Sequence, residues 1–148
     1  MALTHDLNPK GLRVSIVAIL VVLSVQAWSG DVVNIFLVPP NGTKTPSRSP
    51  EGFLQVVQNL GPLFAWHVYE GVFLIIFSAV LLGLSFKWSI KRSVRISAIL
   101  AFFFMLSAAL GGVLFVLSGL ENGGNSAQMG GSFIAVYAFY FIELYFSK

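Results

Sequence analysis

Two ionisable side chains, His67 and Glu70, stand three positions apart inside the apolar run 61–86, GPLFAWHVYEGVFLIIFSAVLLGLSF. At that spacing an imidazole and a carboxyl share one face of a helix, about one turn apart. The run is long enough to cross a bilayer. An ionisable group in a spanning helix is costly unless it is paired or turned toward a polar interior. Asp31 and Asn34, in the preceding apolar run, fall at a comparable depth. Asp31, Asn34, His67 and Glu70 are therefore expected to form one buried polar network in the outer third of the membrane.

Three kinds of chemistry suit that set. In the first, His67 hydrogen-bonds across the bundle to Asp31 or Glu70 and holds helices in register. In the second, His67 is an axial ligand to a b-type haem between the helices, with Asp31 or Glu70 orienting the ring from behind. In the third, Asp31, His67 and Glu70 make a proton relay or ion site. The residue types alone leave all three open.

The elements that must position these residues follow from composition and hydropathy. Of the 148 residues, 56% are hydrophobic and only 10% charged, far short of the quarter or so of charged residues that a water-facing domain carries. The chain is read as a polytopic, all-α membrane protein forming one domain over 1–148. Four spans are expected at about 12–38, 61–86, 96–120 and 129–146. A signal peptide cut after Val25-Gln26-Ala27 is disfavoured, because the apolar character continues through 32–38. Pro39-Pro40 stops the first span. Within the long link 39–60, Ser49-Pro50-Glu51 pairs a capping residue with a proline at the first helical position. Phe53, Leu54, Val57 and Leu60 then recur at helical spacing, which predicts a short amphipathic helix on the membrane surface. The segment 121–128, ENGGNSAQ, reads as a tight polar turn.

Charge sets the orientation. Lys87, Lys91, Arg92 and Arg95 are four of the nine basic residues and lie in one acid-free connector. The positive-inside rule places that connector, and with it both termini, in the cytoplasm, leaving 39–60 and 121–128 outside. Asn41-Gly42-Thr43 in the first outer loop matches a glycosylation acceptor. These basic residues act as orientation signals, so the net charge of +3 does not call for a nucleic-acid partner. The absence of cysteine excludes disulfides, thiolate metal sites and cysteine nucleophiles. No catalytic triad or phosphate loop stands out, and the chain is not expected to be an enzyme on its own. Trp28, Trp66 and Trp88 lie near span ends, where amphipathic rings anchor.

Close packing in lipid needs small residues. They occur as Ser107/Gly111 and Ala108/Gly112 in the third span and as Gly131, Ala135 and Ala138 in the fourth. In the second span His67, Gly71, Leu74 and Ser78 share a face, which turns the imidazole inward.

The stretch from Trp66-His67 to the C-terminus resembles one four-helix half of the haem A synthase family. The pieces that carry the resemblance are Trp66-His67, the basic loop 87–95, the glycine-rich run from Gly111-Gly112 to Gly119-Leu120, and Ala127-Gln128-Met129-Gly130-Gly131. Met129 stands where the family has a second histidine. The resemblance implies a haem-holding bundle with His67 and Met129 as opposed ligands, or a descendant that kept the scaffold and lost the cofactor. It does not imply haem A synthesis, because the chain has one half and one histidine of a pair. The expected function is a small integral membrane subunit. It is either a b-type haem-binding electron-transfer component or a cofactor-free structural or assembly subunit, with lipids and other membrane subunits as partners.

Overall fold

The computed structural model of the chain describes residues 8–36, 49–89, 91–120 and 122–148. Asn41 lies outside these residues, as does the side chain of Asn34. Five helices follow in order: α1 (Pro9–Phe36), α2 (Pro50–Asn59), α3 (Pro62–Trp88), α4 (Arg92–Leu117) and α5 (Gly123–Phe146). No strand occurs among the described residues. Four of the helices are long and apolar enough to cross a membrane, and α2 is the short one. A helix closes all its backbone hydrogen bonds within itself, which is what a hydrocarbon solvent demands.

Local chemistry sets the boundaries. Asn8 Oδ1 accepts from the Gly11 amide at 2.8 Å, and Pro9 follows at the first helical position. Ser49 Oγ accepts from the Gly52 amide at 3.1 Å and opens α2 in the same way. The chain enters α3 through Gly61 at φ 92°, a conformation that a β-carbon would oppose, with Pro62 next. At the end of α4, Gly119 and Leu120 take φ of 75° and 67°, and the Leu120 amide returns to the Phe115 carbonyl at 3.0 Å.

Several boundaries differ from the expectation, among them those of α4, which runs from Arg92 to Leu117 rather than over 96–120. Helix α1 begins at Pro9 rather than near residue 12. Helix α5 begins at Gly123, six residues before the expected start at 129, so most of the segment 121–128 is helix rather than turn. Asn122 is the reason at one end, since its Oδ1 accepts from the amides of Gly124 and Asn125 at 3.0 and 3.3 Å. Packing is the reason at the other. A β-carbon on Gly111 would stand 2.9 Å from the Met129 amide nitrogen and 3.1 Å from the Asn125 carbonyl. The bare backbone of α4 therefore lets the first turns of α5 close onto it. The expected small stripe on α5 is not the packing face: Gly131 has nothing within 4 Å of its would-be β-carbon, and Ala138 is exposed. The buried face instead runs through Ser132, Val136, Tyr140 and Glu143.

The four long helices form a ring in which α1 packs on α3, α3 on α4, α4 most closely on α5, and α5 back on α1. Leu23, Leu74, Leu81, Met105, Val136 and Tyr140 belong to its core. Helix α2 lies over one end, where Val57 packs with Val33, Phe64 and Val116. The opposite end carries Lys87, Lys91, Arg92 and Arg95 and is called the basic end below. The outer surface is apolar, with Val21, Phe73, Ile76, Phe103, Ile134 and Phe141 about half exposed or more. Such a surface suits lipid contact.

Candidate functional site

Lipid offers no hydrophobic force between helices, so polar side chains and close backbone contact fasten them. Several of these helix contacts carry such a bond. Ser24 and Tyr137 join α1 to α5 at 2.8 Å, and Ser132 donates to Ser107 at 2.9 Å between α5 and α4. Ser78 and Tyr140 meet across the core at 2.6 Å. The densest cluster is on the α1–α3 seam around His67.

His67 is half-buried and faces α1. Its Nδ1 lies 2.9 Å from Ser29 Oγ, and its Nε2 lies 3.3 Å from Gln26 Nε2. The Gln26 amide also donates to the His67 backbone carbonyl at 3.2 Å. Ser29 Oγ, fully buried, reaches Glu70 Oε2 at 3.2 Å. Gln26 N–H donates to Nε2 and Nδ1–H donates to Ser29 Oγ, whose single proton is shared between the Gln26 backbone carbonyl at 3.1 Å and the Glu70 carboxyl at 3.2 Å. The ring is then neutral with its proton on Nδ1, and a polarised chain runs from an amide to a carboxylate. The close fit has a cost at Gly30, where a β-carbon would stand 3.0 Å from His67 Cε1. Beyond Ser29, Glu70 borders an open groove of about 350 Å³ with Val22, Trp66, Tyr69 and Phe73.

The structure thus joins His67 to Glu70, through Ser29. It does not bring Asp31 into the cluster: Asp31 is exposed on α1. Nor does it bring Met129 to His67. Met129 lies on the α4–α5 seam, its Sδ 3.3 Å from where a β-carbon on Gly112 would stand. Helices α3 and α5 are diagonal in the ring and share no close backbone approach among the described residues. Iron on His67 Nε2 would have to displace the Gln26 amide, and its opposed ligand would have to cross from another seam. This arrangement does not fit a haem between His67 and Met129.

Gln26 and Ser29 were not singled out by the sequence. Gln26 is a lone amide in an apolar run, a position that usually finds a partner on a neighbouring helix. Its Oε1 is buried without a hydrogen bond. A second polar group was also missed. Glu143 is fully buried on α5 and pairs with Ser85 on α3, while its Oε2 has no partner. Among the described residues no group of three or more metal-ligating side chains comes together.

Fold and site together define a class: a small, four-span helical membrane bundle latched by polar side chains on its seams. No protein-family model, curated protein or solved structure matches the chain.

Proposed function

We propose that this protein is a small integral membrane subunit that holds no cofactor and acts as a structural or assembly component of a larger membrane complex. One observation carries the reading. Both ring nitrogens of His67 are engaged by α1, at 2.9 and 3.3 Å, so the imidazole serves as a latch between α1 and α3, and a metal on Nε2 would have to displace Gln26. The shape of the chain supports it. Apart from α2 and short links, the described residues lie in spanning helices, which leaves little surface for soluble chemistry. Asp31 supplies a feature suited to a partner, since an exposed carboxylate on an apolar helix near the α2 end matches a basic or donor side chain on a neighbouring subunit. The basic end lies in the cytoplasm with both termini, and α2 lies outside.

The test is a visible absorption spectrum of protein purified from haem-supplied cells, together with its size in a mild detergent. The expected result is a colourless protein that migrates in an assembly larger than its own mass. A Soret band that disappears in His67→Ala overturns the reading and restores the electron-transfer alternative.

A further inference from the structure

Glu143 plays no part in the latch, and its placement calls for its own explanation. It lies one turn from the end of α5. A carboxylate there could reach headgroup water by extending along the helix. Its neighbours Ile142 and Tyr145 are exposed, yet Glu143 is 0% exposed and turned onto Ser85 of α3.

The hydrogens around Ser85 indicate what the carboxyl holds. Ser85 Oγ lies 2.8 Å from the Leu81 carbonyl and in close contact with Glu143 Oε1. A serine hydroxyl has one proton and two lone pairs. If that proton goes to Leu81, the Ser85–Glu143 contact needs a proton from the carboxyl side. A carboxylic acid supplies it: Glu143 O–H donates to Ser85 Oγ, and Ser85 O–H donates to the Leu81 carbonyl. The orphaned oxygen, Oε2, is then a neutral carbonyl oxygen rather than half of a buried anion, which is the less costly orphan.

No cation on the surrounding helices replaces that proton. On α5 itself the nearest ionisable group is Tyr140, which bonds Ser78 at 2.6 Å. On α3, Lys87 is exposed, and on α4, Arg92 is exposed. Arg95 donates to the carbonyls of Ser89 and Phe86 at 3.0 and 3.4 Å. Lys91 donates to the carbonyls of Phe146 and Lys148. On α1, Lys10 is exposed and Arg13 half-buried. None of them pairs with Glu143 among the described residues.

We propose that Glu143 and Ser85 form a reversible proton-binding site between α5 and α3 that exchanges with water at the basic end. The short distance from Glu143 to the end of α5 provides the route. Toward the α2 end the way is closed by Leu81 and Leu74, both buried on the same face of α3. The site therefore loads and unloads from one side only. It is independent of the scaffold reading.

The test is infrared spectroscopy of the full-length protein in liposomes, titrated with pH. A carbonyl-stretch band of a protonated carboxylic acid is expected at neutral pH. It shifts in D₂O, disappears reversibly on raising the pH, is absent in Glu143→Gln and remains in Glu70→Gln. Ser85→Ala moves the band, because the acid loses its acceptor. If Glu143→Gln fails to fold, the D₂O shift and the Ser85→Ala displacement carry the test. The proposal is overturned if no such band is found, if Glu70→Gln removes it, or if it persists unchanged at alkaline pH. It is also overturned if sodium at constant pH abolishes the band, which would make the site one for a metal cation.

Discussion

Ser29 on α1 and His67 on α3 meet at 2.9 Å, and the same hydroxyl lies 3.2 Å from Glu70. One serine thus joins two ionisable residues of another helix, which neither could achieve alone. Ser29→Ala breaks the chain at its centre and leaves His67 Nδ1 without an acceptor. Bonds between membrane helices contribute about 0.6 kcal/mol on average and up to about 1.7 kcal/mol, and a shared hydroxyl belongs near the top of that range. Equilibrium unfolding in mixed micelles should show a loss of about 1–2 kcal/mol for Ser29→Ala. Asp31→Asn should change stability little, since Asp31 lies outside the cluster. Equal effects for the two variants would contradict the latch.

The α4–α5 seam yields a contrast between glycines. A β-carbon on Gly111 would press on backbone atoms of α5 at 2.9–3.2 Å, and backbone has nowhere to move. Gly111→Ala should cost about 1–3 kcal/mol, as overpacking does, and should lower the thermal midpoint. At Gly131 the added carbon meets nothing within 4 Å. Gly131→Ala should be neutral or slightly stabilising, because alanine is the better helix former. The reverse order would mean that the fourth span packs through its small stripe after all.

How much of this was legible depends on the range of the interaction. Helix α2 could be read from Ser49, Pro50 and Glu51, because a cap and its helix are adjacent in sequence. The inward turn of His67 could be read from Gly71, Leu74 and Ser78 on its own face. Its partners could not. They depend on the vertical register of α1 against α3, and counting from assumed span ends selected Asp31, whereas Gln26 and Ser29, which lie deeper on α1, make the contacts. The residues 122–128 look like loop because Gly and Asn are poor helix formers, yet Asn122 caps them and Gly111 receives them, so tertiary packing overrides propensity. The stripe Ser132, Val136, Tyr140 and Glu143 recurs at helical spacing and was available in the sequence.

Helix α2 should respond to acid. A backbone hydrogen bond, and then the Ser49 hydroxyl, hold the Glu51 carboxyl below its usual range. A carboxylate whose folded value is depressed contributes stability that is present above its unfolded value and lost as pH falls through the folded one. The protection factors of the Gly52 and Phe53 amides, after correction for the intrinsic pH dependence of exchange, should therefore be steady from neutral pH down to the ordinary carboxylate range and fall below it. In Glu51→Gln that acid response should vanish. A response that persists in the variant would assign it to another group.

The bond between Ser78 and Tyr140 offers the cleanest measure of what a polar contact contributes in this core. Both side chains are almost fully buried, and the bond spans the diagonal between α3 and α5 at 2.6 Å. Tyr140→Phe removes only an oxygen and leaves Ser78 to find another acceptor, which a serine in a helix has in its own backbone four residues back. Ser78→Ala leaves the Tyr140 hydroxyl with no such recourse. Ser78→Ala should therefore be the costlier single change. A double-mutant cycle should return a coupling of about 1 kcal/mol, within the range measured for helices in lipid. A coupling near zero would mean that the diagonal is held by the packing of Leu74, Val136 and Met105 alone. The polar groups lining α3 would then be tolerated in the core without fastening it.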